Sequence, residues 1–248
     1  MILIIGSNHD DVLYFESILK NPREEVILNK HKLVIGSLSS MDVIVIQDIY
    51  TSYVSSLVTS FICSKYDISM IINVGRCEIA RGNLQIGDIA ICDSAFFGDV
   101  DQLSAVKGTV LGQIPNYPQL FTTDLEAVAT LSKCLERVFD GEYALATIVS
   151  SSFFRQNKEM VRNIMENEYV QSLNKNVVID GECSGIALAS YLHKVPFVSI
   201  KVCEANVGEY TSLENYILAL DLYSNIGKAV TAFINEISRK DVKRIMEE

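Results

Sequence analysis

The sequence predicts a single α/β domain with a mixed central β-sheet and helices on both faces. Short apolar runs typical of buried strands alternate with segments of helical periodicity along the chain. Such alternation implies a largely parallel or mixed sheet that is covered on both sides. Hydrophobic residues make up 49% of the 248 residues, enough for a substantial core. We find no linker, low-complexity tract or repeat, and therefore expect one domain over 1–238 and a charged tail over 239–248.

The first half of the chain opens with an apolar strand over 2–5, which Gly6 closes. Apolar side chains at helical spacing then predict a helix over 8–20. A second helix is predicted over 50–65, with one apolar face formed by Tyr50, Val54, Leu57, Val58, Phe61 and Ile62. The strands predicted in this half lie at 25–29, 32–38, 42–46, 69–74 and 87–92.

A turn-rich stretch over 98–122 leads into the second half. Its predicted helices lie at 123–139, 157–168, 183–193 and 213–238, and its strands at 144–150, 177–180 and 197–203. In folds of this kind, ligands bind at the carboxyl ends of the strands. The polar segments that directly follow strands are therefore the candidate site, and they lie at 6–11, 73–78, 150–155, 180–182 and 204–209.

Charge and composition exclude several classes of function. Lys and Arg total 21 against 31 Asp and Glu, a net charge of −10, whereas binding along nucleic acid requires a basic surface. We therefore expect a small-molecule ligand, no nucleic acid and no membrane, since no run approaches the roughly 18 apolar residues of a membrane span. No signal peptide opens the chain and the six cysteines form no CxxC pair, which favours the cytoplasm.

Common cofactor and metal signatures do not occur in the sequence. It contains no phosphate loop, no dinucleotide-binding glycine turn, no nucleophile elbow and no HExxH helix. The three histidines, His9, His31 and His193, are too dispersed to indicate a metal site. We expect neither a cofactor nor a bound metal.

Seven segments occur in a distinctive order along the chain. They are IIGSNHDDV, IINVG, LQIGDIAICD, DVD, GQIP, ATIVSSSFF and VVIDGECSGIALASYLHKVPFVSIKV. Together they resemble the methylthioadenosine/S-adenosylhomocysteine nucleosidases of the nucleoside phosphorylase superfamily, over nearly the whole chain. The resemblance implies a homodimer that acts in methionine salvage and hydrolyses the bond between ribose and adenine. This chemistry requires a carboxylate that activates water, a group that grips the ribose hydroxyls and an acid that protonates the purine.

The resemblance assigns the first two roles to carboxylates at strand ends. Asp11 falls on the position that activates water, where the family has the longer Glu; the alternative is a first-turn acid that favours the helix dipole. Glu182 falls on the ribose-binding Glu, and a carboxylate can accept from two neighbouring hydroxyls. Its alternative is a charge at a helix N-terminus.

The remaining pocket residues are carried over in the same way. Phe154 matches the aromatic residue that stacks on the base, although a core position beside Phe153 is the alternative. Gly75 follows the central strand, and Gly181 stands where the family has Met, on the floor of the sugar pocket. Arg76 and Glu78 replace small residues around the base and sugar, with a mutual surface pair as the alternative.

Two departures from the family pattern fall at functional positions. The family ends the strand over 197–203 with a Ser–Asp pair whose Asp protonates the purine, and here the pair is Glu204–Ala205. Either Glu204 is the acid or the proton donor is lost, which removes about 10²–10⁴-fold of rate. The family's glycine-rich turn after 42–46 is also replaced, by QDIYTS.

Four functional interpretations remain open. The first is a nucleoside hydrolase, and the second is a phosphorylase of the same fold. Phosphorylases hold phosphate with Arg at places that carry Asn73 and the Asp10–Asp11 pair here, and acidic residues repel phosphate. The third is a nucleoside-binding module without turnover, and the fourth is an unrelated α/β domain.

Overall fold

A mixed sheet forms the centre of the computed structural model, which describes residues 1–101, 106–152, 159, 162, 165–166, 168–173 and 175–247. In these residues the sheet has ten strands: β1 (Ile2–Gly6), β2 (Lys20–Ile27), β3 (His31–Leu38), β4 (Met41–Ile46), β5 (Met70–Arg81), β6 (Ile89–Phe97), β7 (Phe121–Thr122), β8 (Tyr143–Ser150), β9 (Asn176–Asp180) and β10 (Phe197–Asn206). The helices are α1 (His9–Ile18), α2 (Ser52–Lys65), α3 (Leu125–Glu136), α4 (Glu168–Ser172), α5 (Cys183–His193) and α6 (Leu213–Glu247). The predicted α/β class with a mixed sheet is confirmed.

Five of the strands close into a ring. They follow the order β10–β6–β8–β9–β5, and β10 pairs with β5 as well. From β5 the sheet continues through β1, β4, β3 and β2. β1 is parallel to both β4 and β5, and β5 is parallel to β10, so the carboxyl ends of these strands meet at one edge. This edge is where a ligand site is expected in such a sheet.

The apolar strands are buried on both faces, as their sequences predict. All five residues of β1 are buried. Ile2 and Ile4 pack into one hydrophobic cluster with side chains of α1, α3 and α6, whereas Leu3 and Ile5 pack into a second cluster with α2 and α5. The alternation follows from the two-residue period of a strand. It leaves helices on both sides of the sheet.

The structure corrects the predicted apolar face of the helix after β4. Tyr50 precedes α2, and its side chain is exposed, as is that of Leu57. The buried face of α2 consists of Ser52, Ser55, Val58, Thr59 and Ile62. This face packs on α5 so closely that a Cβ at Gly185 would lie 2.2 Å from Ser55 Oγ. Small side chains therefore line part of the contact. Of the predicted face, Val58 and Ile62 are buried and Val54 and Phe61 pack against the core, whereas Tyr50 and Leu57 do not belong to it.

Several other predicted elements change in extent; the strand predicted over 25–29, for example, is β2 over Lys20–Ile27, and the one predicted over 87–92 is β6 over Ile89–Phe97. The strand predicted to end before Gly75 continues to Arg81 as β5, because its second half pairs with β9 and β10. The charged tail continues as helix α6 through Glu247. Most of the helix predicted over 157–168 lies outside the described residues.

Helix α6 also bears on the membrane prediction. Residues Leu213–Arg239 are long and apolar enough by length and composition to cross a membrane, and half of the apolar window is buried. Tyr223, Ile226, Val230 and Phe233 belong to the hydrophobic cluster beneath α6. This is the packing of a core helix. The sequence count, which looked for an uninterrupted apolar run, does not detect this stretch because polar and charged side chains such as Asp221 interrupt it.

Candidate functional site

A cavity of about 230 Å³ opens at the carboxyl ends of the central strands. Its lining includes Asp11, Thr51, Arg76, Ser152, Gly181, Glu182 and Glu204. Four of the residues singled out from the sequence, Asp11, Gly181, Glu182 and Glu204, thus come together here. Gly75 lies beside the cavity, and Phe154 lies outside the described residues.

Asp11 reaches the cavity from the first turn of α1. Its Oδ2 accepts the backbone N–H groups of Ser7 and Asn8, each at 2.9 Å, and its Oδ1 accepts the hydroxyl of Tyr223 at 2.5 Å. The side chain is almost fully buried, and burial raises its pKa above the ordinary value although Tyr223 and Arg76 act in the opposite direction. Asp11 therefore satisfies the start of α1 and faces the cavity at the same time.

A buried lysine holds the carboxylates that follow β9. Lys201 lies in β10 with no exposed surface, and its Nζ contacts Asp180 Oδ2 at 3.1 Å and Glu182 Oε1. Burial alone would lower the pKa of Lys201, but the charges of Glu182 and Asp180 outweigh it and the pKa is raised. Lys201 is therefore a permanent cation between two carboxylates.

Asp180 and Glu182 have different partners at the start of α5. Asp180 accepts the Ser150 hydroxyl at 2.5 Å and the backbone N–H of Cys183 at 3.2 Å. Burial and then the charge of Glu182 raise the pKa of Asp180 to about 6, against the opposing effect of Lys201. Because Asp180 satisfies the helix terminus, the Glu182 carboxylate is left to face Lys201 and the cavity.

Arg76 also lines the cavity. Its Nε lies 3.7 Å from Asp11 Oδ1 and its Nη1 lies 3.4 Å from Glu204 Oε2. The Arg76 side chain is 16% exposed and Glu78 is 1% exposed, so the alternative of a surface pair between them is wrong. The cavity is thus flanked by two groups in which one cation lies between two carboxylates.

A β-bulge aims Glu204 at the cavity. In the pairing of β10 with β5, Cys203 stands opposite Cys77 and Ala205 opposite Glu78, so Glu204 is the extra residue. A bulge re-aims side chains at a strand end. Glu204 consequently lines the cavity while Ala205 stays in the ladder, buried. An ungapped comparison places Ala205 at the family's acid position, and the bulge presents a carboxylate to the cavity one residue earlier, at Glu204.

Gly181 in place of Met and the QDIYTS segment in place of the glycine-rich turn belong to one structural change. A Cβ at Gly181 would lie 2.5 Å from the carbonyl oxygen of Tyr50, so no side chain fits. The Ser52 hydroxyl donates to the Gly181 carbonyl at 3.2 Å, and the Ser55 hydroxyl donates to the Glu182 carbonyl at 2.8 Å. The QDIYTS segment therefore fills the space that a larger residue at 181 would need.

Gly75 is required by its backbone, whose φ of +153° is rarely adopted by residues with a side chain. A Cβ there would lie 3.2 Å from Asp11 Oδ2 and 3.4 Å from Lys201 Nζ. The glycine thus lets the two charged clusters approach each other across β5. In the described part of the chain, no group of three or more His, Cys, Asp or Glu side chains is arranged to hold a metal ion.

Sequence reasoning missed Lys201 and Tyr223, and it included Asp180 in the candidate segment 180–182 without giving it a role. A lysine in the otherwise apolar strand FVSIKVC was a usable signal, because a buried strand tolerates a cation only when carboxylates pair with it. Tyr223 gave no local signal, since its partner Asp11 lies 212 residues away.

Known proteins resemble the chain along its whole fold. The family model of the phosphorylase superfamily matches residues 1–235. Among curated proteins, the 5'-methylthioadenosine/S-adenosylhomocysteine nucleosidase of Staphylococcus epidermidis is 27% identical over 80% of this chain and 83% of its own length. The nucleosidase of the same name from Buchnera aphidicola is 29% identical over 80% of this chain and 82% of its own length.

Solved structures agree on the fold. The Neisseria meningitidis 5'-methylthioadenosine/S-adenosylhomocysteine nucleosidase in complex with methylthio-immucillin-A has a TM-score of 0.84 at 18% identity, covering 95% of this chain and 98% of that one. The futalosine hydrolase of Helicobacter pylori has a TM-score of 0.82 at 16% identity, covering 95% and 97%. Because hydrolases with different names share this fold, the fold does not fix the substrate.

Proposed function

Because this chain belongs to the phosphorylase superfamily, we propose that it hydrolyses the N-glycosidic bond of an adenine nucleoside, such as methylthioadenosine or S-adenosylhomocysteine. The membership confirms the resemblance inferred from the strand-end segments. The observation that carries the proposal is the convergence of Asp11, Glu182 and Glu204, from three separate strand ends, on one cavity. The names of the curated relatives supply the substrates to test first.

Each carboxylate has a role that its position supports. Glu182 accepts hydrogen bonds from the ribose hydroxyls, and Asp11 takes a proton from the attacking water. The water oxygen bonds to C1′ while the electron pair of the C1′–N9 bond leaves with the purine, which gains a proton at the Glu204 end. Fixed carboxylates on both sides of the cavity stabilise the positive charge that develops on the sugar.

Water is favoured over phosphate as the nucleophile. Asn73, at a place where phosphorylases carry Arg, is fully buried, donates to the Ile5 carbonyl and accepts the Ser199 hydroxyl. Both nearby cations that the structure describes are already paired with carboxylates, Arg76 with Asp11 and Glu204 and Lys201 with Asp180 and Glu182. A phosphate beside Asp11 would meet like charge in a poorly solvated site.

A binding module without turnover is the second candidate, and one observation favours it. Arg76 ion-pairs with the carboxylates proposed for both the water end and the purine end of the site. If these ion pairs persist with a nucleoside bound, neither carboxylate is free to exchange a proton. The experiment below separates the two candidates.

The setting of the reaction is part of the proposal. The acidic net charge and scattered cysteines support a cytoplasmic protein, and the family resemblance implies a role in methionine salvage. A homodimer is supported by exposed apolar side chains on two helices that pack together, Tyr53 and Leu57 on α2 and Tyr191 and Leu192 on α5.

The test follows adenine release by the purified chain from methylthioadenosine and S-adenosylhomocysteine. We expect release by the wild type and a loss of about 100-fold or more in Glu182→Gln, which keeps the shape but weakens the acceptor. Glu24→Gln, at a surface ion pair with Lys32 on the edge strand, is the matched control and should retain full activity. Nucleoside binding without adenine release would favour the binding module, and neither binding nor release would contradict the proposal.

A further inference from the structure

Two tyrosines of α6 contact the acidic pair at the start of α1. Tyr216 and Tyr223 are seven residues apart and therefore share one face of the helix. The Tyr223 hydroxyl donates to Asp11 Oδ1 at 2.5 Å, and the Tyr216 hydroxyl donates to Asp10 Oδ2 at 2.7 Å. Tyr223 is buried. Asp11, the partner of Tyr223, lines the cavity, whereas Asp10, the partner of Tyr216, is not part of the described cavity lining.

Among the described residues, the hydrogen bonds of Asp11 leave one acceptor position open. A carboxylate offers about four such positions. The N–H groups of Ser7 and Asn8 use two on Oδ2, and Tyr223 uses one on Oδ1. The Arg76 Nε lies 3.7 Å from Oδ1, beyond direct hydrogen-bond range. The remaining position is therefore on Oδ1, next to Arg76.

We propose that Tyr223 is a positioning residue that orients the Asp11 carboxylate so that the open position of Oδ1 receives the attacking water. This inference rests on the proposed hydrolysis. A carboxylate pinned at three positions presents the fourth in one direction, which is what water activation requires.

Several charged groups face Asp11 and set its titration. Arg76 of β5 and Lys201 of β10 favour the ionised form, Tyr223 of α6 donates to it, and Glu204 lies beyond Arg76. The phenols of Tyr50 and Tyr216 also lie within electrostatic range of Asp11, but they carry no charge where Asp11 titrates, because burial raises the pKa of Tyr50 and the hydrogen bond to Asp10 raises that of Tyr216. Burial raises the pKa of Asp11, and the hydrogen bond from Tyr223 is the largest effect that lowers it. Loss of that bond therefore raises the pKa further.

The test compares Tyr223→Phe with the matched control Tyr216→Phe. Asp11 acts as a base when ionised, so activity falls as pH drops through its pKa, and a raised pKa moves this acid limb to higher pH. For Tyr223→Phe we expect the limb of kcat/KM at higher pH, kcat about tenfold lower and KM within about twofold. Tyr216→Phe keeps the ring that lies 5.2 Å from the Arg76 guanidinium. It should leave the acid limb of kcat/KM, kcat and KM unchanged.

A second readout keeps the inference separate from the proposed activity. The pH titration of the Asp11 carboxyl carbon, followed by NMR, should move to higher pH in Tyr223→Phe whether or not the chain turns over substrate. If the Phe variant does not fold, 3-fluorotyrosine at position 223 replaces it; the more acidic phenol should move the titration to lower pH. An unmoved titration, or an active wild type whose kcat survives Tyr223→Phe, would overturn the role of Tyr223. No adenine release by the wild type would instead contradict the proposed function.

Discussion

At the scale of single residues, the buried cation Lys201 determines how the carboxylates after β9 are arranged. Its charge lies between Asp180 and Glu182 with no exposed surface on its own side chain. Removing one partner of a buried ionic group leaves the others uncompensated. The site therefore depends on Lys201 for folding as well as for the orientation of Glu182.

We expect Lys201→Met to lower the free energy of unfolding by about 3–5 kcal/mol, because two buried carboxylates lose their counter-ion. Lys32→Met is the control, since Lys32 is 43% exposed in a surface pair with Glu24 and should cost no more than about 1 kcal/mol. Urea denaturation measures both. Equal, small effects would contradict the buried cluster.

Asp180 makes a prediction about pH. Its pKa in the folded chain is about 6 against an ordinary 3.8, so the folded state binds more protons between these values. The resulting stabilisation is full below pH 3.8 and is lost as pH rises through 6. The free energy of unfolding of the wild type minus that of Asp180→Asn should therefore fall as pH rises from 4 to 7 in urea denaturation. A rise of this difference over the same range would show that the pKa of Asp180 is lowered, not raised.

The residues that sequence reasoning found and missed differ in where their partners lie. Asp11 and Glu182 follow strands directly, so the rule that ligands bind at strand ends brings both forward. Arg76 was noticed, but its partners are Asp11 and Glu204, from distant parts of the chain. Tyr223 depends on a contact across 212 residues, which no local pattern encodes.

At the scale of elements, the β-bulge in β10 decides which residue faces the cavity. The sequence left two possibilities, an acid at Glu204 or no acid, because a residue count cannot detect an extra residue in a ladder. The pairing of Ala205 with Glu78 places the bulge at Glu204. The first possibility therefore has the geometry it needs, and turnover is left to experiment.

We expect Glu204→Gln to lower the rate of adenine release by about 10²–10⁴-fold, the usual contribution of a positioned acid–base group. Ala205→Ser changes the adjacent residue, which is buried and pairs with Glu78 in the sheet. Its rate should stay within about threefold of the wild type because this side chain does not line the cavity. Steady-state kinetics on methylthioadenosine compares them. A larger loss in Ala205→Ser than in Glu204→Gln would mean that the bulge is placed wrongly.

Local sequence predicted some elements well and others poorly, for physical reasons. Helix 183–193 agrees with α5 at both ends, because an apolar helical pattern begins directly after the strand that ends at Asp180. The predicted face of α2 was right for Val58 and Ile62 but missed Ser52 and Ser55, because close helix contact selects small residues. β5 was cut short because a glycine usually ends a strand pattern, whereas Gly75 makes room for Asp11 and Lys201.

At the scale of the whole molecule, the ring of five strands brings the site together. The sequence predicts strands and a mixed sheet but does not state that β10 pairs with both β5 and β6. That double pairing sets Lys201 and Glu204 of β10 beside Gly75 and Arg76 of β5. Long-range pairing of this kind is decided by the packing of the entire core, so it lies beyond any local pattern.

The proposed homodimer makes a prediction at this scale. We expect sedimentation equilibrium to give twice the chain mass of 27.6 kDa. Leu57→Lys, on the exposed side of α2, should shift the protein toward the monomer because it places a charge in an apolar contact. Tyr210→Lys, at a position that is 86% exposed, serves as the control and should leave the mass unchanged. A monomeric wild type would contradict the homodimer.

The central claim is that the cavity bounded by Asp11, Glu182 and Glu204 uses water to release adenine from a nucleoside. The most direct measurement is the initial rate of adenine release from methylthioadenosine by the wild type, in phosphate-free buffer and again with added phosphate. The account predicts release at the same rate in both, with no sugar 1-phosphate formed. Release that requires phosphate, with the sugar 1-phosphate as its product, would contradict it.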